Sequence, residues 1–230
     1  MQYRNLHPWR VSPREAVEIQ NALRPHLILD RSPDRIATVA GIDVSSDFKS
    51  NRLFAAVVVC DLENKNQKSL PVLEVAVESM EVDFPYVPGL LAFREIPVVL
   101  KAWEKLQLRP DCLICDGQGI AHPRRIGIAS HLGFIVDLPS IGCCKTLLTG
   151  LYRDPGPSRG ERAPLIDRQE TIGAILRSKE KVAPIHISPG HRMTLDRAVE
   201  IILSCQTKYR LPEPIRLARH WVNAARKAAA

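Results

Sequence analysis

"IATVAGIDVS" (residues 36–45) is an apolar run rich in β-branched residues, and two more of its kind follow, "LFAAVVVCDL" (53–62) and "VLEVAVESMEV" (72–82). Short polar stretches suited to hairpins join them, so the three runs predict an antiparallel β-meander. The pattern then changes. After the loop "FPYVPG" (84–89), Leu91, Val98, Val99, Ala102 and Leu106 fall within roughly 100° of one another on a helical projection, which predicts a helix from Leu91 to Leu106. "DCLICDG" (111–117) predicts a short apolar strand, "IGIASHL" (126–132) a short helix, and "IVDLPSIGCC" (135–144) a further strand. A meander followed by β-α-β units predicts an α/β sandwich whose mixed central sheet is flanked by helices.

The flanks fit the same plan. "SPRE" (12–15) is a capping box with proline at the first helical position, starting a helix that runs to about Arg24. Residues 153–170 are turn-forming and charged and read as an exposed loop. "TIGAILR" (171–177) and "APIHIS" (183–188) read as strands, "TLDRAVEIILSCQTKY" (194–209) as a Thr-capped helix, and "EPIRLARHWVNAARKAAA" (213–230) as a basic C-terminal helix.

A chain of 230 residues with 25% charged and 45% apolar residues suits one domain spanning 1–230. No apolar run approaches the ~20 residues of a membrane span, and the first residues lack the pattern of a secretion signal. A soluble, cytoplasmic, monomeric protein is expected. Its net charge of +7 biases the surface toward polyanions such as nucleic acid. The six cysteines do not suggest a metal site, because the odd spacing of Cys112 and Cys115 on a strand sends them to opposite faces. They read as small buried hydrophobes.

Three acids interrupt this apolar plan. Asp43 sits within an otherwise buried strand, Asp116 ends the strand "CLICD", and Glu95 falls inside the apolar stripe of its helix. Each can have its own partner: a backbone turn, the following glycines, a nearby Lys or Arg. Alternatively the two strands are neighbours and the helix turns Glu95 toward them, so that like charges converge. Such a cluster needs a cation, and an all-oxygen ligand set suits Mg²⁺ or Mn²⁺. The coincidence of three favours the metal.

At these residues the chain resembles the endonuclease V family. The matching stretches are "AGIDVS" (40–45), "PYVPGLLAFRE" (85–95), "CDGQGIAHPRRIGIASHLG" (115–133), "IGCCKTLL" (141–148), "SPGHR" (188–192) and "YRLPEP" (209–214), which span most of the chain. The resemblance implies a ribonuclease H-like fold. It also implies Mg²⁺-dependent nicking of nucleic acid at the second phosphodiester bond 3′ of a deaminated base, above all inosine, leaving a 3′-hydroxyl and a 5′-phosphate. Asp43, Glu95 and Asp116 then match the acidic metal site, with Lys145 approaching the reacting phosphate.

Tyr86 and Pro88 fall in the wedge that separates strands at the lesion, a sensible use of a rigid aromatic. Gly89, Leu91, Gly117 and Ile128 match a base pocket lined largely by main chain, with Gly119 in the same loop. His122 matches a family histidine near the nucleic acid, and Arg124 and Arg125 beside it are expected to contact phosphates. Two departures stand out: Ser46 follows "DVS" where the family often has an aromatic, and Arg219, followed by His220, stands where some members place a histidine. A structure-directed nuclease of the same fold, an inosine-RNA-directed ribonuclease and a non-catalytic nucleic-acid-binding module are the rival readings.

Overall fold

The structure, a computed structural model, describes residues 1–65 and 69–229. The N-terminal helix α1 (Pro13–Leu23) starts at the expected capping box, with Ser12 and Glu15 bonding each other's backbone N–H groups. Strands β1 (Thr38–Asp47), β2 (Arg52–Asp61) and β3 (Val72–Glu81) form the expected antiparallel meander. Helix α2 (Leu91–Lys105), β4 (Cys112–Cys115), α3 (Ile128–Val136) and β5 (Ser140–Cys144) supply the parallel part, because β4 pairs in parallel with both β1 and β5. Strands β6 (Arg162–Asp167), β7 (Glu170–Leu176) and β8 (Ile185–Pro189) extend the sheet, and helices α4 (Leu195–Ser204) and α5 (Glu213–Ala228) close the chain. The eight strands run in the order β3-β2-β1-β4-β5-β8-β7-β6.

Strand alternation divides the core into two layers. Ala40, Ile42, Leu113 and Cys115 pack with α2 and α3, while Val39, Cys112 and Ile114 pack with α4 and α5. Cys112 and Cys115 therefore face apart, as their spacing requires, and all six cysteines are free and buried. Fully buried side chains such as Trp103, Ile96 and Leu113 each stabilise this core by about 1.5–3 kcal/mol. Gly41 on β1 lets α5 sit directly on the sheet: a Cβ there would lie 2.1 Å from the carbonyl oxygen of Pro214. That close approach determines what α5 can reach further along β1.

Three expectations need correction. The helix read into 194–209 ends at Ser204. The stretch 153–170 is not wholly loop, because residues 162–167 form the edge strand β6. Its sequence hides this: Arg162, Pro164 and Asp167 are poor strand formers, tolerated because an edge strand leaves one row of backbone groups unpaired. The strand read into 135–144 begins only at Ser140, since Ile135 and Val136 finish α3 before Asp137 turns the chain at a φ of 54°. No helix among the described residues is long and apolar enough to cross a membrane.

Candidate active site at the carboxyl edge of the sheet

The register of β1 and β4 builds the site. Ile42 pairs with Cys115 in the parallel ladder, so the next residue of each strand, Asp43 and Asp116, lies side by side at the carboxyl edge. The Asp116 N–H donates to the Ile42 carbonyl at 2.9 Å, extending the ladder by one bond. Ile42 and Val44 pack toward α2, so Asp43 between them projects toward α5. There α5 presents Arg219, whose Nε donates to Asp43 Oδ2 at 3.2 Å and whose Nη2 donates to Asp116 Oδ2. Burial and the Asp116 charge push the Asp43 carboxyl up to about 6 despite this guanidinium. Asp116 is also raised, by burial, with Arg219 and Lys145 acting the other way.

Glu95 comes from the opposite layer. It sits one turn into α2, and no hydrogen bond or salt bridge reaches its carboxyl among the described residues. Burial and then the charges of Asp43 and Asp116 raise it to about 8, so the three acids sense one another. The single cage expected for all three is not preformed: among the described residues no three Asp, Glu, His or Cys side chains close around one point. The donor set nevertheless fits a hard divalent cation, being all oxygen and carrying three acids against one bonded guanidinium. Asp43 and Asp116 are the pair that would hold it, with Glu95 behind.

Beside Asp116 opens a cleft of about 490 Å³, lined by that carboxylate together with Lys145, Arg219, Tyr86, Pro88 and Gly89. Leu91, Gly117, Ile128 and His122 complete its walls. Tyr86 is 72% exposed, an aromatic held out at the rim. Gly119 does not line the cleft; its N–H donates to Ser188 Oγ at 2.8 Å and fixes the loop after β4. Leu147 and Leu148, each 41% exposed, form an apolar lip next to Lys145.

The wall at Gly89 has an unusual support. Its φ of +79° is a glycine conformation, and its carbonyl oxygen accepts three donors: Gln20 Nε2 at 3.1 Å, His122 Nε2 at 2.8 Å and Arg124 Nη2 at 2.6 Å. His122 Nε2 must carry the proton, and its Nδ1 accepts the Arg124 backbone N–H at 3.1 Å. Burial also pulls the His122 pKa down to about 4. Both nitrogens are engaged, which leaves no free lone pair for general-base work. Arg124 Nε donates in turn to Gln20 Oε1 at 2.5 Å, so Gln20, His122 and Arg124 form one hydrogen-bonded network around the Gly89 carbonyl.

Gln20 was invisible to sequence reasoning. It is fully buried on α1, and the only hint is its place one turn after buried Ala16. Gln20→Ala removes two donors and one acceptor from a closed network, and is expected to lower the urea-unfolding free energy by about 1–3 kcal/mol. An unchanged midpoint would show that the network carries little.

The endonuclease V family profile matches residues 21–220, which contain every acid of the site. The chain belongs to the endonuclease V family. It is 50% identical to endonuclease V of Methanothrix thermoacetophila over 95% of this chain and 94% of that one. The solved endonuclease V of Streptomyces avermitilis superposes with a TM-score of 0.90 at 43% identity, covering 96% of both chains. That of Ciona intestinalis, solved in complex with a 24mer DNA containing an inosine followed by a ribo-adenosine, superposes with a TM-score of 0.80 at 27% identity. It covers 94% of this chain and 98% of that one. As an endonuclease V the protein is a nuclease, and its mixed sheet with flanking helices agrees with the ribonuclease H-like fold that the family resemblance implies.

Proposed function

We propose that the protein is a divalent-metal-dependent endonuclease acting in DNA repair. It nicks inosine-containing DNA at the second phosphodiester bond 3′ of the lesion and leaves a 3′-hydroxyl and a 5′-phosphate. The observation that carries this reading is the β1–β4 register, which sets Asp43 beside Asp116, a residue that lines the adjoining cleft. Mg²⁺, or Mn²⁺ in its place, would be held by these two carboxylates with Glu95 nearby, and supplies Lewis-acid chemistry toward the attacking water and the departing 3′ oxygen.

The chain's own residues do the rest. Gly89, Leu91, Gly117 and Ile128 accept the extruded hypoxanthine, whose weak pairing makes extrusion cheaper than for an undamaged base. Tyr86, with Pro88 behind it, stacks on the bases exposed by that extrusion. Lys145, which shares the cleft with Asp116, faces the scissile phosphate and offsets its charge. The protein works as a monomeric cytoplasmic enzyme, with one catalytic domain formed by the whole chain.

The test compares nicking of matched inosine-bearing and undamaged duplexes with Mg²⁺ and with EDTA. Cleavage confined to the inosine strand and abolished by EDTA is expected. Equal cleavage of both duplexes favours a structure-directed nuclease. Binding without cleavage under any condition favours a non-catalytic module.

A further inference from the structure

Arg219 takes up a position that the proposed metal also needs. Its guanidinium bonds Asp43 Oδ2 at 3.2 Å and Asp116 Oδ2 together, and no other Lys or Arg among the described residues bonds either carboxylate. The helix beneath it is fixed: Pro214, Ile215, Ala218 and Val222 are buried, and Asn223 Nδ2 donates to the Arg219 carbonyl at 2.8 Å. The side chain itself is 37% exposed and lines the cleft, so it has room to swing while α5 stays in place.

Two adjacent buried carboxylates repel one another unless a cation lies between them, and a planar guanidinium is well suited to bridge the pair. A Mg²⁺ ion binds oxygen at about 2.0–2.1 Å, much closer than an N–H donor approaches, so ion and guanidinium cannot share the same gap.

We propose that Arg219 is a stand-in cation: it keeps Asp43 and Asp116 together in the metal-free enzyme, and a divalent ion must displace it into the cleft, beside Lys145. The inference rests on the metal reading above. Exchange of this kind lowers the apparent metal affinity by the worth of the broken pair, and it leaves a released cation facing the substrate phosphate.

The experiment measures Mn²⁺ binding to the full chain without nucleic acid, by electron paramagnetic resonance of the free ion. R219Q is expected to bind Mn²⁺ about tenfold more tightly than wild type, the scale of one charge-assisted hydrogen-bonded pair. R219K, a point charge that cannot fork across two carboxylates, is expected to fall between them. Circular dichroism checks that each variant is folded, and R219K keeps the comparison open should R219Q fail to fold. Binding by the variants equal to or weaker than wild type overturns the exchange while leaving the metal site standing. Absence of bound Mn²⁺ in wild type and variants alike overturns the metal reading and the exchange with it.

Discussion

Asp43→Asn is expected to slow nicking of an inosine-bearing strand at saturating Mg²⁺ by at least about 10³-fold, the scale on which charge at a reacting centre acts. The substitution keeps the shape of the side chain and removes one of the two carboxylates that α5 and the sheet edge bring together. The fold is expected to survive. The Asp43 carboxyl is raised to about 6, so its contribution to stability is full below its ordinary value of 3.8 and is lost as pH rises through about 6. At neutral pH the ionised form is therefore a cost that asparagine does not carry. The pairing with Arg219 given up in exchange is expected to limit any fall in unfolding free energy to about 1 kcal/mol. Single-turnover nicking and urea unfolding at neutral pH check the two halves, and near-normal turnover would remove Asp43 from the reaction.

Glu95→Gln should separate stability from activity more sharply. Burial of most of its side chain pushes the Glu95 carboxyl up to about 8, and the charges of Asp43 and Asp116 add to the shift. A raised carboxyl favours the fold fully below its ordinary value of 4.5, and this contribution disappears as pH rises through about 8. Glutamine stays neutral throughout, so the metal-free variant is expected to match wild type below pH 4.5 and to pull ahead above it. By pH 8 the gain should reach on the order of 2 kcal/mol, less than the full linkage because the residue is only partly buried. Nicking should fall by about 10–100-fold, the range for a group that tunes a metal from outside its ligands. Urea midpoints measured against pH that stay parallel for the two proteins would show that Glu95 is not strained by its neighbours.

Much of this architecture is legible in the chain because burial imposes its own periodicities. The meander runs of 36–82 and the apolar stripe of α2 read correctly for that reason. Asp43 and Asp116 stand out because each interrupts or ends an otherwise apolar strand. What the sequence concealed depends on contacts between distant segments. β6 depends on pairing with β7 and on a bridge from Ile166 to Leu151. Gln20 looks like a helix-surface residue until α1 docks against Gly89. Glu95 falls on the apolar stripe as read, yet the layer that stripe faces is opposite to the one toward which Asp43 projects, and helical spacing alone does not reveal which face of the sheet a helix covers.

The most direct measurement is the shift that Mg²⁺ produces in the urea-unfolding midpoint of wild type and of Asp43→Asn, without nucleic acid. An ion that binds only the folded chain raises its stability in proportion to the logarithm of its concentration above Kd. The midpoint of wild type should rise with Mg²⁺ while that of Asp43→Asn stays where it was. An equal rise in both proteins, or none in either, would contradict the assignment of the ion to Asp43 and Asp116.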